Sequence, residues 1–210
     1  TIEEIDTTFT ILRKNSSRFV PENYIAMCLL LLLGVRKTEL TQAVWGEFNL
    51  EEEYWRLPAE RSKTGVELKI GLPWQVVIIL KSLRPEAAKS EDFVFPTRRS
   101  GKKGHISDDT LNHAVAKLFG KKTGKEKKPP EDILRPAGVE HFVIHDLRRT
   151  CRTLMEMIGI EEKVTERCLN HKIKGVRGVY NRHDYYEERK EALQKLAYLL
   201  FNYIDHPELF

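Results

Sequence analysis

Apolar residues along the chain recur mainly at helical spacing, so the sequence predicts a largely helical protein. The clearest case is the run from Pro21 to Leu33, which Gly34 ends and which is apolar enough to predict a buried helix. This run is too short to cross a bilayer. Further helices are predicted over residues 2–16, 35–43, 73–83, 108–119 (with Ser107 as its N-cap), 144–158, 161–169 and 184–204.

The last predicted helix is amphipathic, with an apolar stripe formed by Leu193, Leu196, Leu200 and Tyr203. Such a stripe requires burial. It can pack on its own domain or on a neighbouring subunit, and the pattern does not choose between them.

The pattern changes between residues 44 and 72, where aromatic, β-branched and turn residues follow one another at short spacing. This pattern of residue types predicts three antiparallel strands near 44–50, 53–57 and 66–72. The predicted fold class is therefore mainly α with a small three-stranded antiparallel β-sheet (α+β). Residues 120–138 are rich in lysine, glycine and proline, which predicts a solvated loop or, as the alternative, a contact with a DNA backbone.

Composition narrows the class of protein. The 210 residues are 41% hydrophobic, which is enough for one sizeable core. The net charge of +4 permits an anionic partner without requiring one. The three cysteines form no CxxC pair, which indicates core thiols in a reduced, intracellular protein. The sequence has no signal peptide, and it starts at Thr1 rather than at methionine, so we expect a fragment that lacks upstream domains.

The stretch "HDLRRT" carries the most suggestive chemistry. On a helix, His145 and Arg148 are neighbours at i and i+3, and Arg152 extends the same face. An imidazole beside a guanidinium suits the binding of a phosphate and the handling of a proton near it. Taken alone, the motif fits an ordinary basic surface helix equally well.

Other segments add similar residue types. In "GVRKTEL", Arg36 and Glu39 stand at i and i+3, so Glu39 is predicted to orient the arginine or to form a merely local ion pair. "ERSKTG" places Lys63 at a predicted hairpin turn, where lysines usually face solvent. "LNH" places His171 nine residues before Tyr180.

Together and in this order, these residues resemble the active-site signature of the tyrosine recombinases, the lambda-integrase family. The signature residues are Arg36, Lys63, His145, Arg148, His171 and Tyr180. The resemblance extends over residues 20–200, and the ending "VYNRHDYYEERKEALQKLA" is similar to integrases of satellite phages and genomic islands. The chain departs from the family at Asn170, where a small residue is more common, and in the longer loop 120–138.

The resemblance implies site-specific recombination: DNA strands are cut and rejoined through a 3′-phosphotyrosyl intermediate, without metal or ATP. Tyr180 would be the nucleophile, although Tyr185 and Tyr186 lie close to it. Arg36, Arg148 and His171 would bind the phosphate oxygens and Lys63 would protonate the leaving oxygen, whereas the role of His145, proton acceptor or phosphate ligand, stays open. Further DNA contacts are predicted at Arg149, Arg152, Lys172, Lys174 and Arg177.

The resemblance also implies partners and a domain organisation. The partners are double-stranded DNA, other copies of the chain in a tetramer assembled on DNA through the C-terminal tail, and accessory DNA-bending proteins; no membrane is involved. The whole chain, residues 1–210, would be the catalytic domain, with residues 1–20 as a leading helix or linker and 184–210 as the tail. The expected location is the bacterial cytoplasm, at the nucleoid.

No cofactor is predicted, because the sequence has neither a carboxylate cluster with metal-ligand spacing nor a glycine-rich phosphate loop. Two other functions remain as alternatives. One is strand nicking and relaxation like that of a type IB topoisomerase, and the other is a DNA-binding regulator whose site is unused.

Overall fold

The computed structural model describes residues 1–97, 104–125, 127–171 and 184–204. In these residues the helices are α1 (Ile2–Lys14), α2 (Pro21–Leu33), α3 (Lys37–Thr41), α4 (Trp74–Leu83), α5 (Thr110–Leu118), α6 (Ile144–Met157), α7 (Glu162–Cys168) and α8 (Tyr186–Ile204). The strands are β1 (Phe48–Asn49), β2 (Tyr54–Leu57) and β3 (Leu68–Gly71), and short 3-10 turns occupy Trp45–Glu47 and Arg135–Ala137.

Helix α2 lies at the centre of the core. Pro21 occupies its first turn and Gly34, with a φ of 60°, caps its C-terminal end, as the sequence predicted. Every residue from Asn23 to Leu33 is buried, because α1, α3, α4, α5, α6 and α8 all pack against this helix. A helix that is apolar on every side is stable only in such a surrounded position.

The small sheet has the strand order β1–β2–β3 with antiparallel pairing, which confirms the predicted fold class. Trp55 on β2 stands opposite Phe48 and Ile70, is fully buried, and stacks on Phe48 with ring centroids 5.0 Å apart. All three strands are shorter than predicted, and β1 is shortened most because residues 45–47 form a 3-10 turn. The connection between β2 and β3, residues 58–67, carries Lys63.

The predicted N-cap of α5 is wrong. The helix begins at Thr110 with Asp109 at the cap position. Ser107 instead closes the preceding turn, where its carbonyl accepts from the Thr110 N–H at 3.0 Å and its hydroxyl lies 2.9 Å from the Thr110 hydroxyl. A serine side chain can satisfy a local turn as readily as a helix end, and the sequence pattern does not separate the two.

Helix α8 packs on its own domain through the predicted stripe. Leu193, Leu196 and Leu200 are fully buried and Tyr203 is half-buried, with α1, α2, α7 and β3 as the packing partners of the helix. The helix begins two residues later than predicted, since Tyr185 has a φ of 54° that helical backbone does not adopt. Residues 205–210, the end of the predicted tail, lie outside the described residues.

A buried arginine fastens the start of α8 to the sheet. The Arg189 guanidinium donates to the Lys69 carbonyl on β3 at 2.8 Å and to the Asp184 carboxylate at 2.8 Å, while its Nε donates to the Asp184 carbonyl at 3.1 Å. Its side chain is only 2% exposed, so these bonds compensate a charge withdrawn from water. Arg189 therefore ties Asp184, just before α8, to strand β3.

All three cysteines are buried free thiols, as predicted. Burial raises the pKa of the Cys151 thiol, and it raises that of Cys168 to about 12. Thiols in this state are unreactive at neutral pH and contribute to the core as small apolar groups. Among the described residues, no helix combines the length and the apolar character that a membrane crossing requires.

Replacing Gly34 with alanine should be strongly destabilising. An added Cβ would stand 2.6 Å from Cys151 Sγ and 2.8 Å from a Leu169 methyl group, on a backbone with positive φ. The left-handed backbone and the overpacking together should lower the free energy of unfolding by about 3 kcal/mol, measured by urea denaturation. Gly159→Ala is the matched control, since Gly159 also has positive φ, at 79°, but has open space around it. This control should cost about 1 kcal/mol, and equal costs for the two variants would contradict the steric argument.

Candidate active site

Arg148 on α6 lies between the ends of two helices. It is only 6% exposed, and its guanidinium donates to the Gly34 carbonyl at the end of α2 and to the Leu169 carbonyl at the end of α7. Carbonyls at helix C-termini lack intrahelical partners and carry partial negative charge, so they suit a buried cation. Burial, and then the nearby charge of Arg36, lower the pKa of Arg148 to about 10, which leaves it protonated at neutral pH.

Arg36 precedes α3 and is held by the predicted ion pair with Glu39. The Glu39 carboxylate accepts from the Arg36 side chain at 3.0 Å and from its backbone N–H at 2.8 Å. Because Glu39 is only 2% exposed, this pair is strong enough to orient the guanidinium. A second donor of Arg36 approaches the Asn170 carbonyl at 3.5 Å, which brings Arg36 beside the segment that contains Leu169 and His171.

His171 is oriented by a carboxylate that the sequence analysis missed. Its Nδ1 lies 2.6 Å from one oxygen of Glu166 on α7, and the other oxygen of Glu166 lies 3.2 Å from the Arg152 guanidinium. A partner on Nδ1 fixes the plane of the ring and leaves Nε2 to interact with a ligand. The five-residue separation of Glu166 and His171 spans the end of α7, so no helical periodicity pointed to this pair.

Arg149 and Arg152 have acidic neighbours. Arg152 contacts Glu156 at 2.9 Å and Glu162 at 3.6 Å in addition to Glu166, and Arg149 contacts Asp146 at 3.3 Å. The hydrogen bond to Glu156 raises the pKa of Arg152. Arg152 therefore belongs to an ion-pair network with α7 rather than continuing the surroundings of Arg148, and DNA contacts by both arginines stay a prediction.

The turn that carries Lys63 is attached to the site on two sides. Arg61 donates to the Glu39 carbonyl at 2.8 Å and to the Glu47 carboxylate at 3.0 Å. Ser62 and Thr64 contact the Asn170 side chain, at 3.1 and 3.3 Å respectively. Lys63 itself is exposed between these anchors, as expected for a long amine at a turn.

Of the remaining predicted residues, the structure describes three and leaves four outside the described residues. His145 is exposed at the start of α6, one helical turn before Arg148. Tyr185 and Tyr186 are half-buried: Tyr185 packs against the core, and the Tyr186 ring lies beneath the Lys69 ammonium at 4.7 Å. Tyr180, Lys172, Lys174 and Arg177 lie outside the described residues.

The described part of the chain thus brings together basic residues from four separate segments. These are the segment after α2 with Arg36, the β2–β3 turn with Lys63, the start of α6 with Arg148, and the end of α7 with His171. In the same residues no group of three or more His, Cys, Asp or Glu side chains could hold a metal ion. Arginine, lysine and histidine side chains arranged in this way can donate several hydrogen bonds to a phosphate ligand.

Comparison with known proteins agrees with this arrangement. The family model of the phage integrase family matches residues 2–187. The chain belongs to the phage integrase family. This confirms the resemblance found in the sequence, and it covers every predicted catalytic residue, the last of which is Tyr180.

Two integrases are similar in sequence. Prophage integrase IntA of Escherichia coli K12 is 30% identical over 172 residues, which are 81% of this chain and 37% of IntA. The integrase of enterobacteria phage P4 is 32% identical over 103 residues, which are 43% of this chain and 23% of that integrase. The matched parts thus span 37% of IntA and 23% of the P4 integrase, well under half of either relative's length.

Solved integrase structures share the fold. The integrase of mycobacterium phage Brujita aligns with a TM-score of 0.58 and 19% identity over 88% of this chain and 57% of its own. A lambda integrase(75–356) dimer bound to a COC′ core site aligns with a TM-score of 0.56 and 18% identity over 82% of this chain and 57% of that chain. The XerA recombinase aligns with a TM-score of 0.56 and 16% identity over 95% of this chain and 61% of its own. The fold of this phage integrase family member is therefore that of the tyrosine recombinases.

Truncating Arg148 should destabilise the protein itself. Arg148→Ala leaves the Gly34 and Leu169 carbonyls buried without donors, so the free energy of unfolding should fall by about 3 kcal/mol. Arg149→Ala is the matched control one residue along α6, where the side chain is 78% exposed and, within the part of the chain that the structure describes, pairs with Asp146. Its effect should stay within about 0.5 kcal/mol in the same urea titration. Two equally small effects would contradict the structural role of Arg148.

Proposed function

We propose that this chain is the catalytic part of a site-specific tyrosine recombinase that cuts and rejoins DNA strands through a 3′-phosphotyrosyl intermediate, without metal or ATP. The observation that carries the proposal is the convergence of Arg36, Arg148, His171 and the Lys63 turn in a member of the phage integrase family. Each of these residue types matches one requirement of phosphoryl transfer to a tyrosine.

The two arginines suit a phosphate clamp. Their guanidinium groups contact the carbonyls of consecutive residues, Arg36 that of Asn170 and Arg148 that of Leu169. Burial, and then the charge of Arg36, lower the pKa of Arg148, as expected where two like charges are held near each other. A phosphate between them would relieve that repulsion, and the relief grows as negative charge develops on its non-bridging oxygens. His171, with Nδ1 engaged by Glu166, would offer Nε2 as a further donor.

Strand cleavage then needs a nucleophile and two proton transfers. The Tyr180 oxygen attacks phosphorus and the bond from phosphorus to the 5′-oxygen breaks. The Lys63 ammonium gives its proton to the departing oxygen, and the phenol proton leaves Tyr180. His145 is the candidate acceptor of that proton or a further phosphate ligand. Rejoining is the reverse reaction, so the phosphotyrosyl bond conserves the energy of the phosphodiester.

Double-stranded DNA is the proposed substrate, and other copies of the chain are the proposed partners on it. The solved lambda integrase dimer bound to a core site supports DNA as the ligand by analogy. Assembly into a tetramer through the tail is also a proposal. The buried stripe of α8 is occupied by the chain's own core, so that face of α8 is not free to bind a neighbouring subunit while it stays packed.

The nucleophile assignment can be tested with a nicked suicide substrate that traps covalent protein–DNA adducts. Tyr180→Phe should abolish the adduct and change DNA affinity by less than a few-fold, because only the attacking oxygen is removed. Tyr186→Phe is the control and should retain adduct formation, since that ring packs beneath Lys69. Adduct from Tyr180→Phe but none from Tyr186→Phe would reverse the assignment.

The general-acid role of Lys63 predicts rescue by the leaving group. Lys63→Ala should cleave an ordinary phosphodiester slowly, but it should cleave a 5′-bridging phosphorothiolate nearly as fast as the wild type, because a thiolate leaves without a proton. Arg36→Ala is the control. Its cleavage of the ordinary phosphodiester should be slowed by roughly 100- to 1,000-fold. Its cleavage of the phosphorothiolate should stay slow as well, since a sulfur leaving group does not replace a lost hydrogen-bond donor to the phosphate.

If the phosphorothiolate restores Arg36→Ala and leaves Lys63→Ala slow, Lys63 is not the acid. Two further assays on the wild type separate the alternative functions. Relaxation of supercoiled DNA without exchange between two sites would indicate a topoisomerase-like activity, and binding without any adduct would indicate a regulator.

A further inference from the structure

The backbone at Asn170 does not by itself explain an asparagine. Asn170 follows α7 with a φ of 48°, in the left-handed region where glycine is free of strain and other residues are not. Its N–H closes the helix end on the Arg167 carbonyl at 3.0 Å, a bond that glycine would make equally well. Because asparagine also tolerates this conformation better than most residues, the backbone would accept either residue, and what distinguishes asparagine from glycine here is what its side chain contacts.

The amide side chain of Asn170 joins a closed hydrogen-bond ring with the Lys63 turn. Asn170 Nδ2 donates to the Ser62 hydroxyl at 3.1 Å, and the Thr64 hydroxyl donates to Asn170 Oδ1 at 3.3 Å. The two hydroxyls lie 2.9 Å from each other and complete the ring. Ser62 is only 7% exposed, so water competes weakly for these groups. The ring holds the chain on both sides of Lys63.

The backbone around Asn170 belongs to the proposed phosphate clamp. The carbonyl of Leu169 accepts from Arg148, the carbonyl of Asn170 faces Arg36 at 3.5 Å, and the next residue is His171. Three consecutive residues therefore contact or supply the side chains that would bind the phosphate. The side chain of the middle residue connects that segment directly to the turn that carries Lys63.

We propose that Asn170 is a positioning residue that sets the place of Lys63 relative to the bound phosphate by tying Ser62 and Thr64 to the end of α7. This role rests on the proposed function, because it assumes that Lys63 protonates the leaving oxygen. Arg61 fixes the other side of the same turn to α3, so loss of the Asn170 ring would leave the turn attached but misplaced. Errors of about 1 Å in the placement of a reacting group can cost on the order of 100-fold in rate.

The decisive variant is Asn170→Gly, which removes the amide and keeps the left-handed backbone without strain. On an ordinary suicide substrate at saturating DNA, its cleavage rate should fall by about 10- to 100-fold. On the 5′-bridging phosphorothiolate it should return to within about three-fold of the wild type, because the proton from Lys63 is then not needed. An equal loss on both substrates would show general damage to the site and overturn the proposal.

Two controls separate this role from a structural one. Glu53→Gly also replaces a left-handed residue, with a φ of 56°, by glycine, but in the turn between β1 and β2. It should leave the cleavage rates on both substrates unchanged. Ser62→Ala should also cleave the ordinary substrate slowly and the phosphorothiolate at nearly the wild-type rate. Because both changes break one ring, the double variant should be no slower than Asn170→Gly alone. Fully multiplicative losses in the double variant would contradict a shared ring.

A measurement without DNA tests the tether independently of the proposed function. Amide hydrogen exchange in the turn around Lys63 should be faster in Asn170→Gly than in the wild type, whereas exchange in α2 should not change. Unchanged exchange in the turn would overturn the proposal even if cleavage were slowed. If the wild type formed no adduct on either substrate, the proposed function would fail, and faster exchange would still show that Asn170 anchors the turn.

Discussion

The site depends on the burial of one charge. Arg148 is withdrawn from water between the ends of α2 and α7, and its guanidinium is satisfied there by the Gly34 and Leu169 carbonyls. A buried cation without such acceptors would cost several kcal/mol, so the two helix ends are held at the spacing that the guanidinium spans. Both residues that carry the neighbouring groups, Arg36 and His171, follow these ends by two positions. The contact that stabilises the core therefore also places the site.

Carboxylates near the site orient two of its side chains. Glu39 and Glu166 each hold one functional side chain, Arg36 and His171, through short hydrogen bonds. Farther along α6, the Arg152 side chain forms ion pairs with three glutamates. The weak net charge of +4 thus conceals an uneven distribution. For recognition of a phosphate, the placement of the individual basic side chains matters more than the total charge.

Much of the fold was predictable because its signals are local. The apolar run of α2 with Pro21 and Gly34, the alternation in the sheet and the stripe of α8 all appear as periodicity over a few turns. The i, i+3 pair of Arg36 and Glu39 was predictable for the same reason. Local signals failed where two local structures compete for one side chain, as at Ser107, whose hydroxyl completes a turn instead of a cap.

By itself, the sequence determined the helices, the three-stranded sheet, the family and the residue types that phosphoryl transfer requires. Only the tertiary structure decided that α8 packs on its own domain, that Glu166 orients His171 and that Arg152 turns towards α7. It also joined Asn170 to Ser62 and Thr64, which are more than a hundred positions away in the chain. Contacts of this kind leave no periodic pattern, because their geometry is set by the packing of α2, α6 and α7 and not by the spacing of residues within one element.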